Sequence, residues 1–119
     1  MSREIKFRAW NGETMVSPDY ITREGIGYWK EDSIPSYSKD LMQFTGLKDK
    51  NGVDIYQRDV AINSVGERGI VTYGDGVFYL AYFEEPALEY LHSLVIRDKH
   101  YNSTGKCSIE VIGNIPPYE

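Results

Sequence analysis

The residues best suited to nucleophilic or metal chemistry are Cys107, His92 and His100, and their spacing suits neither. Cys107 is the chain's single cysteine and the two histidines are its only ones. No CxxC or HxxxH spacing occurs, whereas a structural zinc site needs four such ligands. Asp49-Lys50-Asn51-Gly52 has the flavour of a calcium loop. That loop requires Gly sixth and Glu twelfth, and here Val60 stands twelfth, so the segment reads as a turn. Gly74-Asp75-Gly76 lacks the third glycine and following helix of a dinucleotide fingerprint, and an acid between glycines repels phosphate. It reads as a hairpin turn. There is no GxSxG elbow. The carboxylate pairs Asp54 with Asp59 and Glu84 with Glu85 are capable of acid–base work, but 18 acids in 119 residues produce such pairs by chance. The expectation is a chain with no catalytic, metal or cofactor-binding residues, and no enzyme.

A binding surface is the stronger functional reading. Lys6, Arg8 and Trp10 share one face of a strand, and Trp and Arg are favoured interface anchors. Lys48, Lys50, Tyr56 and Arg58 add cations and an aromatic ring around a turn. Interleaved aromatics and cations also stack single-stranded nucleic acid on small barrels. The plainer alternative is that Trp10 covers a barrel end while the cations keep the outer face soluble.

The elements that must position these residues are short strands. Arg3 to Trp10 alternates, with Ile5, Phe7 and Ala9 on one face and Lys6, Arg8 and Trp10 on the other. Asn11-Gly12 follows and favours a two-residue hairpin turn, which sets Trp10 opposite Glu13, Arg8 opposite Met15 and Phe7 opposite Val16. Residues 17–40, interrupted by Pro18, Gly25, Gly27 and Pro35, read as a long excursion with a short strand around Tyr28-Trp29 and a loop from Ser33 to Ser38. Leu41 to Phe44 reads as a strand ended by Thr45-Gly46. Lys48 to Gly52 turns the chain, and Val53, Ile55 and Tyr56 restart it. Strands follow at Asp59 to Ile62, Ile70 to Tyr73 and Val77 to Phe83. Glu84-Glu85-Pro86 suits the first of one or two helical turns through His92, the alternative being an irregular connection. Leu94 to Ile96 and Ser108 to Ile112 close the fold around a polar loop from Asp98 to Lys106. Tight turns between strands of this length indicate a mainly β chain with minor α content, built as a small barrel or sandwich.

Composition sets the outer limits. Hydrophobic residues make up 41% and charged residues 26%, ordinary for one globular domain spanning residues 1–119. The net charge of −5 disfavours tight non-specific binding to nucleic acid, which depends on Lys and Arg neutralising phosphates. A lone cysteine and a first segment without an apolar stretch fit a cytoplasmic protein with no membrane association. Asn102-Ser103-Thr104 therefore reads as a polar turn rather than a glycosylation acceptor. An edge strand at Val77 to Phe83 either pairs between subunits or is covered by closure, which leaves the oligomeric state open.

Three segments together resemble one family. Arg3 to Trp10 (REIKFRAW) is similar to the opening of the YopX-like proteins of bacteriophages and prophages. Leu41 to Gly52 (LMQFTGLKDKNG) with Ile55-Tyr56 looks like that family's central signature, and Glu110 to Ile115 (EVIGNI) like its closing motif. Residues 17–40 and 79–108 match weakly. One departure stands at Gln57-Arg58-Asp59, where Arg58 replaces the family's glycine and puts the turn geometry in question. The resemblance implies an SH3-like barrel over residues 41–119 joined to an N-terminal hairpin and loop region over 1–40, and a phage or prophage gene. It implies no activity and no cofactor. Thr45-Gly46, Asn51-Gly52 and Gly113-Asn114 read as turn chemistry, and Phe44, Tyr56 and Ile112 as core. The leading expectation is a non-enzymatic accessory protein that binds a host or phage protein. A nucleic-acid-binding module resting on the cations is the second, and an enzyme of unrecognised type the third.

Overall fold

Residues 5–84 and 86–115 are described by the structure, a computed structural model. Arg3 and Glu4 of the expected first strand, and Glu85 of the expected helical start and carboxylate pair, lie outside the described residues. The chain is mainly β. Its strands are β1 (Phe7–Trp10), β2 (Met15–Val16), β3 (Tyr20–Ile21), β4 (Gly27–Glu31), β5 (Ile34–Ser38), β6 (Met42–Lys48) and β7 (Asp54–Tyr56). They continue with β8 (Asp59–Ile62), β9 (Arg68–Gly74), β10 (Val77–Tyr82), β11 (Leu88–Tyr90), β12 (Val95–Arg97), β13 (Ser103–Cys107) and β14 (Glu110–Asn114). A 3-10 turn, Leu91–Leu94, precedes β12.

The strands form three sheets. One runs β12-β13-β6-β1-β2 with β7 also on β6, the second β11-β10-β9-β8-β14, and the third β3-β4-β5. The first two sheets meet over a core of Ile55, Ala61, Val71, Phe78, Leu80, Leu91, Cys107 and Ile109, to which the third sheet contributes no residue. Alternation explains the central strands: Gly69 and Val71 in β9, and Phe78 and Leu80 in β10, are buried with half-buried residues between them, as one core-facing pleat requires. The β9–β10 hairpin closes with Asp75 and Gly76 at φ 51° and 81° and Gly74 opposite Val77. These are the left-handed pair of a type I′ turn, whose twist matches that of the strands.

Several expectations are corrected. The first hairpin pairs Trp10 with Met15 and Ala9 with Val16, so its loop has four residues rather than two. The Asn11 side chain accepts hydrogen bonds from the Glu13 and Thr14 N–H groups, and this Asx turn stabilises the longer loop. Ala9 is buried, whereas Ile5 is 72% exposed.

Residues 17–40 hold an entire three-stranded sheet. Its second hairpin turns at Asp32 and Ser33, both at positive φ without glycine, and β5 occupies the expected loop. Strand β6 runs through Thr45-Gly46 to Lys48; Gly46 at φ 88° lies where the β6–β7 register shifts, a bulge rather than an end. The expected helix is β11 followed by the 3-10 turn. The expected loop from Asp98 to Lys106 contains most of β13, which ends at Cys107. Gly113-Asn114 lies within β14, where a register shift between Val111 and Gly113 replaces a turn, and Ile112 is 49% exposed. Strand β10 has β9 on one side and β11 on the other, so Val77 to Phe83 is not a free edge.

Candidate functional site

Four of the seven residues expected on a partner surface come together, and their charges are spent internally. β1, β6 and β7 lie side by side, bringing Arg8 of β1, and Lys6 just before it, over the aromatics of the others. Lys6 Nζ stands 4.5 Å from the Phe44 ring centroid and the Arg8 guanidinium 4.4 Å from that of Tyr56. The two rings are 5.5 Å apart.

Asp54 accepts from both Lys6 Nζ at 2.6 Å and Lys48 Nζ at 2.7 Å. Burial pushes its carboxyl up, but the bonds from Lys48 and Lys6 outweigh it and hold the group below its ordinary value. Arg8 Nη2 donates to Asp59 Oδ1 at 2.6 Å, while Asp59 Oδ2 accepts the Tyr56 N–H at 2.8 Å. Trp10, Lys50 and Arg58 fall elsewhere. Lys50 sits 3.8 Å from Glu110. Arg58 adopts φ 73°, so the turn keeps the left-handed geometry its missing glycine would have given freely, and its Nε donates to the Ile115 carbonyl at 2.7 Å.

Asp49 was legible only as a turn former, yet it is fully buried. One carboxylate oxygen accepts the N–H groups of Asn51 and Val53, and the other that of Val111, each at 2.9 Å. It ties the central signature to the closing strand. The Asx turn is readable from spacing, but the link to Val111, 62 residues away, is not.

A cleft of about 590 Å³ lies where the sequence marks no site residue. Parallel strands β6 and β13 pair at Lys48 and Lys106 alone. N-terminal to that contact, Thr45-Gly46-Leu47 and Ser103-Thr104-Gly105 border an opening floored by Val77, Phe78 and Leu91. Gly46 and Gly105 both have positive φ, the backbone freedom that turns each strand away. His92 is the only ionisable side chain in its lining. A slot with apolar floor and strand-edge walls is chemically a binding groove; its lining holds no acid–base pair.

Cys107, against the floor's underside, is wholly buried, and burial pushes its thiol up to about 12. Among the described residues no three His, Cys, Asp or Glu side chains group as a metal site would need. Among the described residues no helix is long and apolar enough to cross a membrane.

A family model described as YopX protein matches residues 6–119, essentially the whole chain. No curated protein matches it.

Proposed function

Because the chain belongs to the YopX family, we propose that it is a non-enzymatic phage or prophage accessory protein, acting in the host cytoplasm, which binds an extended segment of a host or phage protein. The observation that carries this reading is the divergence of β6 and β13 from their single pairing at Lys48 and Lys106. Where the two strands part company, the Leu47 and Gly105 N–H groups turn to the hydroxyls of Thr45 and Ser103 in their own strands, and an added strand would exchange such local bonds for main-chain ones while neighbouring pockets read its side chains. The cleft's volume falls within the range of sites that hold a ligand. The same reading takes residues 41–119 as an SH3-like barrel opened along this seam, with residues 1–40 as an attached hairpin region. The nucleic-acid alternative is weakened because Lys6, Lys48 and Arg8 already face carboxylates.

The test is selection of binders from a displayed library of random peptides. Peptides enriched on the wild-type protein should bind Ser103→Trp and Val77→Arg, which fill the cleft, at least about tenfold more weakly, a loss of about 1.4 kcal/mol. Lys50→Glu should bind them unchanged, and binding should barely respond to salt. Binders lost in Lys50→Glu but kept in the cleft variants would sink the reading. So would a steep salt dependence of binding to single-stranded DNA.

A further inference from the structure

A second cleft, about 560 Å³, opens between the β1–β2 loop and the β4–β5 hairpin, apart from the β6–β13 groove. Trp10 and Trp29 both line it, with Glu31 and Asn11. Trp29 is only 6% exposed. Its Nε1 donates to Glu31 Oε1 at 2.6 Å, which holds the carboxylate beside the indole. Trp29 and Glu31 are two apart on one strand, so both point to the same face of the sheet. Tyr37 touches the rim, but its ring packs on Tyr28 across the opposite face. No Lys or Arg lines the cleft, and none among the described residues pairs with Glu31.

Two indoles and a fixed carboxylate, in a chain of net charge −5, form a concave site of negative potential. An indole face attracts a cation through its quadrupole more strongly than any other side-chain ring, and the carboxylate adds a direct ionic partner. We propose that this cleft binds a compact organic cation, the guanidinium or alkylated ammonium of a basic polypeptide side chain. Glu31 supplies the charge and the two tryptophans the walls.

The protein carries its own probe, because Trp10 and Trp29 are its only tryptophans and both stand at the site. Their fluorescence should change saturably as N-acetyl-arginine amide or tetramethylammonium is added. N-acetyl-citrulline amide, neutral and nearly isosteric with the arginine compound, should bind about tenfold more weakly. Glu31→Gln keeps an acceptor for the Trp29 N–H and removes the charge, so it should weaken both cations by a similar factor. Trp10→Ala should abolish the change, and Trp10→Phe should retain much of the affinity. A basic peptide binding no more tightly than the free cations would point to a small-molecule source for the ligand and overturn the polypeptide part of the assignment. Absence of saturation, equal binding of the citrulline compound, or affinity unchanged in Glu31→Gln overturns the site.

Discussion

Arg8 and Asp59 show how a charged pair survives inside a small β protein. Their side chains are only 13% and 2% exposed, and Arg8 Nε has no hydrogen-bond partner among the described residues. Burial pushes the Asp59 carboxyl above its ordinary value, against the pull of the Tyr56 N–H and the Arg8 guanidinium. A carboxyl raised in this way contributes stability fully below its unfolded value of 3.8 and loses it as pH rises through the folded value. Arg8→Met takes away the compensating charge and pushes Asp59 further up. At neutral pH the variant should lose about 3–5 kcal/mol, the cost of an orphaned buried charge. The deficit should shrink as pH falls towards about 4, because protonation removes the charge. Adding Asp59→Asn, which keeps an acceptor for Tyr56, should restore most of the loss at neutral pH. Denaturant titrations across pH check both; a deficit independent of pH would mean that packing of the arginine stem, not charge, is what Arg8 supplies.

At the scale of the element, two glycines of one hairpin have opposite reasons to be there. A Cβ on Gly69 would meet the Ala81 carbonyl oxygen at 2.5 Å, in a strand paired on both sides. Backbone cannot step aside without opening the sheet. Gly76 has open space around it but φ 81°. Gly69→Ala should therefore cost about 3 kcal/mol, the upper end for overpacking, and Gly76→Ala about 1 kcal/mol, the strain of a left-handed Cβ. Gly76→Asn should cost less than Gly76→Ala, since Asn tolerates this conformation. Midpoints of denaturant unfolding at unchanged slope would verify the order, and a Gly69→Ala variant as stable as Gly76→Ala would refute it.

These cases also explain what could be read in advance. The Gly74-Asp75-Gly76 turn was legible because glycine advertises positive φ. The Asp32-Ser33 turn does the same with φ 50° and 68° and no glycine, so the sequence shows a strand at Tyr28-Trp29 but hides its partner β5 as a loop. Gly46 advertised a break but serves a bulge. The candidate cations were legible by type, whereas their partners Asp54 and Asp59 lie some 50 residues along the chain. The β6–β13 cleft depends on two segments almost 60 residues apart failing to pair, which no local pattern records.

The whole molecule is more extended than its length requires. Its radius of gyration is 15.3 Å, against about 13.5 Å for a compact chain of this size, and its extents are 48 × 35 × 27 Å. The excess has a cause in how burial is distributed. Every residue of the core cluster lies between Ile55 and Ile109. In the β3–β4–β5 sheet only Gly27, Trp29 and Ser38 are buried, while Tyr20, Ile34 and Tyr37 are each more than 60% exposed. Opening that sheet would expose little apolar surface, and opening β9–β10 would expose the core. Local opening free energies follow buried contacts. In native-state hydrogen exchange at low denaturant, the amides of Val71 and Leu80 should exchange only through global unfolding. Those of Tyr28 and Lys30 should exchange through a smaller opening that depends less on denaturant. Equal protection in the two regions would show that the N-terminal sheet belongs to the same cooperative unit as the core, held there by contacts stronger than its exposed aromatic face implies.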